Sequence, residues 1–166
     1  MGIVSTIFTD FSVELLVIAL IIGFYKTTKM KKAKASDKAD KMLSWMLLLA
    51  VGFSFIYAGF FQAADPVGIS AEIGFTNSPF LFELAMSNIA IGLIAVLSFW
   101  RSLDFKKAVA MISSIFLLGA FVGHIYQIVY YQNYAPGNAG IILWTDIIIP
   151  IILAALIFVA KEPGKK

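Results

Sequence analysis

The stretch KTTKMKKAKASDKADK at residues 26–41 separates two long apolar runs and decides how the chain is organised. It contains seven of the 13 Lys and Arg residues of the chain. The flanking runs cover about residues 3–25 and 42–62, and each has the length of about 20 mostly apolar residues that a bilayer-spanning helix needs. A charged segment between two such runs is typical of a loop at a membrane surface.

Three further apolar runs of spanning length follow, at about residues 80–100, 108–131 and 141–160. They are apolar on every face, whereas the strands of membrane barrels alternate apolar and polar residues. The 166 residues are 60% hydrophobic and 14% charged, and an ordinary soluble domain is about 25% charged. The sequence therefore predicts an all-α fold, a polytopic transmembrane helical bundle of five spans that forms one integral membrane domain over residues 1–166.

The basic residues indicate how this bundle is oriented. All 13 Lys and Arg residues fall in three segments, which are 26–41, 101–107 and the tail from Lys161. Five spans place these segments on one side, and the positive-inside rule assigns that side to the cytoplasm. We therefore expect a multi-pass protein of the cell membrane with its N-terminus outside and its C-terminus cytoplasmic. The net charge of +3 is then a topology signal, so no nucleic-acid partner is expected.

Two features of the sequence concern partners other than the lipid bilayer itself. The basic cytoplasmic loop 26–41 is either a solvated connector or a surface that grips anionic lipid or another protein. The fourth run contains Gly119-x-x-x-Gly123, a small-residue spacing that lets membrane helices approach closely. The glycines predict a close contact that brings His124 near a neighbouring helix. They also make other membrane subunits or a homo-oligomer candidate partners.

Ionisable residues inside a spanning helix are costly, so each one is a candidate for function. Three acids lie within the runs, in the half of the membrane away from the lysines: Glu14, Glu83 and Asp146. The same half of the runs contains no Lys or Arg, and only His124 could become cationic there. Such carboxylates must be protonated, hydrated in a cavity or neutralised by a bound cation.

Nearby polar residues extend these groups into a candidate ligand-binding site. Its predicted members are Glu83, Asn88, His124, Gln127 and Asp146. His124 and Gln127 share a helix face because they are three residues apart. Pro150 follows Asp146 by four residues and has no N–H, so the Asp146 carbonyl loses its helical partner. Asp146 is therefore either part of a cation or water site or part of a packed proline kink.

A divalent metal ion is the cofactor candidate, with Glu83, His124 and Asp146 as its ligands. A set of carboxylates and one imidazole suits manganese, iron or zinc. The alternative is that His124 forms an ordinary hydrogen bond between helices. The chain contains no cysteine, which excludes disulfides and thiolate metal sites.

Several short motifs also carry a family resemblance. They are Ser78-Pro79-Phe80-x-Phe82-Glu83, Asn88, Gly123-His124-Ile125-Tyr126-Gln127, the loop NYAPGNAG at 133–140, and Asp146-x-x-x-Pro150. Through them the stretch from Ser78 to about Pro150 resembles uncharacterised small prokaryotic membrane proteins related to the DoxX-like group. The resemblance implies a helical membrane bundle and no particular reaction. DoxX proteins proper are linked to quinone-coupled sulfur oxidation, and this sequence has no quinone or sulfur signature.

Three functions remain open at this point. The first is a binding or permeation protein with an outer-leaflet Glu/His/Asp site for a proton, a metal ion or a small polar ligand. The second is a structural or accessory subunit of a larger membrane complex. The third is a membrane oxidoreductase related to DoxX-like proteins, with His124 as proton shuttle or metal ligand. The sequence has no P-loop, nucleophile elbow or haem-attachment motif, so it favours a non-enzyme and assigns no catalytic residue.

Overall fold

The computed structural model describes residues 3–160, with side chains from residue 11 onward. Within that range the chain forms helices and no strands, and five helical units are long and apolar enough to cross a membrane. The predicted all-α class with five spans is therefore confirmed. The basic tail predicted from Lys161 to Lys166 lies outside the described residues, as do Met1 and Gly2.

The helices follow the apolar runs closely, with short additions between them. Their bounds are α1 Ile3–Lys29, α2 Ala35–Trp45, a π-helical segment Met46–Phe53, α3 Ser54–Ala64, α4 Pro66–Ile73, α5 Phe80–Ser98, α6 Leu103–Tyr131, α7 Pro136–Ala139 and α8 Ile141–Val159. The short helices α4 and α7 fall in segments that the sequence interpretation treated as loops. Both lie at the end of the bundle opposite the lysines, and we call this the α4–α7 end.

The lysine-rich connector is much shorter than predicted. α1 continues to Lys29 and α2 already begins at Ala35, so only residues 30–34 join the two helices. Lysine and alanine both favour helix, and a helix can continue past the apolar run that crosses the bilayer. The second span is therefore a helical unit of 30 residues, Ala35–Ala64.

The middle of that second span is wound as a π-helix. The backbone N–H of Ser54 donates to the carbonyl of Leu49, five residues earlier, and the Ser54 hydroxyl lies 3.4 Å from the same oxygen. π-helical segments are rare and occur mostly as short insertions within α-helices. Here the segment joins α2 and α3 without a break in the helix.

The end of the bundle that carries the 30–34 connector, which we call the basic end, contains a buried ion pair. Lys106 lies in the first turns of α6 rather than in a loop, and its side chain is 7% exposed. Its Nζ donates to Asp40 Oδ1 on α2 at 2.8 Å. A buried ammonium group without a partner would be strongly destabilising, so this pair fixes α6 against α2.

The closest helix packing lies between α5 and the second span, where small residues face one another. A Cβ atom added to Gly59 would stand 2.6 Å from the backbone oxygen of Ala85. One added to Gly92 would stand 2.8 Å from the backbone oxygen of Gly52. Gly52 and Gly59 are two helical turns apart, as are Ala85 and Gly92, so the backbones touch along a seam.

Gly119 and Gly123 have a different role from the one predicted. A Cβ atom at either position would meet nothing within 4 Å, so these glycines make no close helix contact within the chain. The predicted close contact through them was therefore wrong, because this face of α6 borders open space, although His124 does lie near a neighbouring helix, α8. A contact through them between copies of the chain stays a prediction.

Candidate functional site

A cavity of about 740 Å³ lies on the side of the bundle towards the α4–α7 end. Its lining on α6 runs from Ile115 to Gln127, which is about 18 Å at 1.5 Å per residue. Residues of α1, α3, α4, α5, α7 and α8 form the other walls. Small-molecule sites typically have volumes of roughly 300–1,000 Å³, so the cavity is large enough for an organic ligand.

The cavity is closed at its inner end. The rings of Phe55 and Phe116 lie there with their centroids 5.4 Å apart. Towards the basic end the interior is filled by fully buried side chains, among them Leu43, Met46, Leu47, Val51 and Leu153. The cavity therefore ends inside the bundle and does not cross it.

The cavity wall is mostly apolar, with a few polar groups. Its aromatic members are Phe55, Tyr57, Phe61, Phe75, Phe116 and Tyr126. Its polar members include Gln62, Glu72, Asn88, His124, Gln127 and Asp146. An apolar pocket with a few convergent polar groups is the usual form of a ligand site. Asn88, His124, Gln127 and Asp146 all belong to the set predicted from the sequence.

His124 on α6 and Asp146 on α8 meet at the cavity wall. His124 Nε2 lies 3.6 Å from Asp146 Oδ2, and the two side chains are 13% and 7% exposed. A neutral imidazole beside a protonated carboxyl has the same net charge as an imidazolium beside a carboxylate. A proton can therefore move between the two groups without a change in the net charge of the pair.

Asn138 on α7 determines the orientation of the His124 ring and which ring nitrogen carries a proton. Asn138 is fully buried, and its Oδ1 lies 2.7 Å from His124 Nδ1. Its Nδ2 donates to the carbonyl oxygens of Asn133 at 2.8 Å and of His124 at 3.4 Å. Because the amide nitrogen is directed at carbonyls, its oxygen faces the ring and His124 Nδ1 carries a proton. Nε2 is then the ring nitrogen that faces Asp146.

The loop before α7 is itself fixed to the end of α4. Asn133 Nδ2 donates to the carbonyl oxygens of Ile73 at 2.9 Å and Gly74 at 3.2 Å. Asn133 Oδ1 accepts from the backbone N–H of Ala135 at 3.1 Å. Sequence reasoning used this loop only as a family motif and missed Asn138 as a site residue. The sequence signal that could have identified it is the presence of two asparagines, Asn133 and Asn138, in one short loop between spans.

A second polar pair lies where α3 meets α5. Asn88 is buried, and its Nδ2 donates to Gln62 Oε1 at 2.7 Å. Both residues line the cavity. The sequence interpretation named Asn88 but not Gln62, because Gln62 lies at the edge of its apolar run and resembled an interfacial residue.

Glu83 does not join His124 and Asp146. It is exposed in the first turn of α5 and is not part of the cavity wall. Asn88 faces the cavity, and Glu83, five residues earlier, points about 140° away around the helix. Residues 11–160 contain no group of three His, Asp or Glu side chains that could hold a metal ion. The predicted three-ligand metal site is therefore not assembled in this part of the chain.

Glu72 is a cavity residue that the sequence interpretation did not select. It lies on α4, near the end of the bundle where Asn133 holds that helix. Because α4 falls between two apolar runs, Glu72 resembled an ordinary loop carboxylate. Glu14, by contrast, is exposed on α1 and is not part of the cavity wall.

Comparisons with known proteins place the chain in an uncharacterised family. No curated protein and no solved structure matches it. The comparisons show no relation to the DoxX-like group, so the oxidoreductase alternative that depended on that resemblance gains no support. The model of a family described as "Family of unknown function (DUF6790)" matches residues 9–166, and the chain belongs to this family.

Proposed function

We propose that this membrane protein binds a small, largely apolar molecule in the blind cavity, with the polar group of the molecule against the His124–Asp146 pair. The observation that carries the proposal is the position of that pair in the wall of a cavity of about 740 Å³. Asn138 orients the imidazole, as the supporting groups of preorganised sites do. The proposed activity is binding rather than chemistry.

The geometry favours binding over the other candidate functions. A pore would need a continuous path, whereas this cavity ends at Phe55 and Phe116. Polar residues that only join helices would bond to each other, whereas Nε2 and Oδ2 are 3.6 Å apart and border open space. A metal ion would find two protein ligands in this pair, and zinc sites usually use three or four.

An accessory subunit of a membrane complex is the second candidate, and Glu83 is the observation that favours it. Its carboxylate is exposed in the first turn of α5, beside the exposed rings of Phe80 and Phe82. A carboxylate on the surface of a span faces lipid, headgroups or another protein. A partner subunit with a basic or hydrogen-bonding group would suit this position.

Replacing Gly123 with leucine tests the proposed binding function. The added side chain enters open space, because a Cβ atom at Gly123 meets nothing within 4 Å. We expect small molecules to copurify with the wild-type protein, and we expect the variant to fold but to lose them. Mass spectrometry of molecules released by denaturing the purified protein measures this loss. Ala154→Leu on the exposed face of α8 is the matched control. Retention of the same molecules by Gly123→Leu would contradict the proposal.

We also propose that the basic end faces the cytoplasm, as the positive-inside rule indicates. The chain has no cysteine, so single-cysteine variants give an unambiguous test. Lys32→Cys lies in the connector of the basic end, Thr76→Cys lies at the α4–α7 end, and both positions are exposed. A membrane-impermeant thiol reagent added to intact cells is expected to label Thr76→Cys and to label Lys32→Cys only after permeabilisation. The reverse pattern would invert the orientation.

A further inference from the structure

We infer that the cavity takes a hydrophobic ammonium ion, an amine whose positive charge sits on an apolar, ring-bearing body. The inference rests on the proposed binding function and adds the charge and the hydrogen-bonding character of the ligand. Three features of the wall carry it: its net charge, the direction of its hydrogen bonds and its aromatic rings.

The wall of the cavity has a negative formal charge. Its acids are Glu72 and Asp146 and its one imidazole is His124, so the formal charge is negative even when the imidazole is protonated. The described lining residues include no Lys or Arg. An anion would therefore enter an apolar space beside a carboxylate with no cation to offset the repulsion. A monovalent cation offsets this negative charge. The attraction between opposite charges is stronger in such an apolar space than in water.

The acidic side chains of the wall favour a ligand that donates hydrogen bonds. Asn138 accepts the Nδ1 proton of His124, so Nε2 is the ring nitrogen that faces Asp146. The carboxyl oxygens of Asp146 and Glu72 are hydrogen-bond acceptors in the wall. The side-chain amides of the wall both donate and accept hydrogen bonds, so they favour neither kind of ligand. A ligand with N–H donors satisfies these acceptors, whereas a ligand with only acceptors leaves them without a partner.

The remaining wall suits the body of such a ligand. Six aromatic side chains border the cavity, at positions 55, 57, 61, 75, 116 and 126. The faces of such rings attract cations, by about 0.5–1 kcal/mol at exposed sites and about 2 kcal/mol or more when water is excluded. The same rings pack against an apolar or aromatic ligand body. A hydrophobic amine therefore uses both the charge and the apolar area of the cavity.

Three probes with nearly the same skeleton and different charge test the inference on the wild-type protein. They are diphenylmethylammonium, diphenylmethanol and diphenylacetate, titrated by calorimetry against protein in nanodiscs of uncharged lipid, with empty discs subtracted. We expect the ammonium to bind more tightly than the alcohol by about tenfold or more, and the carboxylate to show no binding. Because this comparison needs no mutation, it does not depend on how well a variant folds.

Glu72→Gln then locates the source of the preference. The variant is expected to bind the ammonium no more tightly than the alcohol. Asp65→Asn is the matched control, because it removes one negative charge at an exposed position that is not part of the wall. Asp65 Oδ1 caps α4 by accepting from Gly68 N–H at 2.9 Å, and asparagine is an equally good cap. An ammonium preference that Glu72→Gln retains would overturn the assignment to this carboxylate.

The outcomes separate the ligand class from the proposed function. Equal binding of the alcohol and the ammonium, or tighter binding of the carboxylate, would overturn the ammonium class. If Gly123→Leu abolishes the binding of whichever probe the wild-type protein binds, the cavity remains the binding site. Ammonium binding that persists unchanged in Gly123→Leu would place the probe outside the cavity and overturn the inference. Failure of all three probes would also overturn the ammonium class, and the copurification measurement then decides the binding function independently.

Discussion

Replacing Gly59 with alanine is expected to lower the stability of the folded protein by about 1–3 kcal/mol, the usual cost of overpacking a well-packed interior. The new methyl group would stand 2.6 Å from the backbone oxygen of Ala85 and 3.0 Å from the backbone nitrogen of Ile89. Backbone atoms cannot rotate away as side chains do, so α3 and α5 must separate. Thermal unfolding of the purified protein in detergent micelles, followed by tryptophan fluorescence, measures the loss.

Gly119→Ala is the matched control for this prediction. It makes the same chemical change inside a helix, but its methyl group meets nothing within 4 Å. Alanine favours helix over glycine by about 1 kcal/mol, so this variant is expected to be as stable as the wild type or slightly more stable. Equal effects of the two substitutions would show that α5 does not pack against α3 at this distance.

Asn138→Ala is expected to cost about 2–6 kcal/mol of stability and to release the His124 ring. The substitution leaves the Nδ1 group of His124 and the carbonyl of Asn133 without their partner, and each buried group without a partner costs about 1–3 kcal/mol. The chain has a single histidine. The nitrogen NMR spectrum of isotope-labelled histidine therefore reports His124 alone. We expect a proton on Nδ1 in the wild type and a mixture of the Nδ1 and Nε2 tautomers in the variant.

Asn77→Ala serves as the control, because Asn77 is exposed in the segment between α4 and α5. It is expected to leave both the unfolding temperature and the histidine spectrum unchanged. A wild-type spectrum with the proton on Nε2 and none on Nδ1 would contradict the hydrogen-bond network assigned to Asn138. An unchanged spectrum in Asn138→Ala would show that other groups orient the ring.

The apolar runs were sufficient to predict the number of spans, because the length and composition of a membrane helix are set by the bilayer. They were not sufficient to predict where helices end outside it. Lys26 and Lys29 belong to α1, and Lys106 is buried against Asp40, although all three looked like loop residues. Their placement depends on contacts between helices that hydropathy does not contain.

The candidate site was predicted in part, for a similar physical reason. Burial cost alone selects polar residues inside spans, and His124 and Asp146 were found in this way and do meet. The same argument also selected Glu83. That residue faces away from the cavity, because its position around the α5 helix differs from that of Asn88. Asn138 and Glu72 were missed because they lie outside the apolar runs. The folded loop brings Asn138 to the His124 ring, and α4 brings Glu72 to the cavity.

The π-helical segment Met46–Phe53 has a consequence for the lengths that the second span can tolerate. An α-helix turns by about 100° per residue, so deleting one residue from a regular helix rotates everything beyond it by that angle. A π-helix closes its hydrogen bonds five residues back and holds more residues per turn. The segment thus sets how far the half of the span that carries Gly59 is rotated, about the helix axis, relative to the half that carries Leu43. A one-residue deletion there that restored α-helical winding would therefore leave the Gly59 seam close to α5, whereas the same deletion in the regular part of α3 before Gly59 would rotate the seam by about 100°.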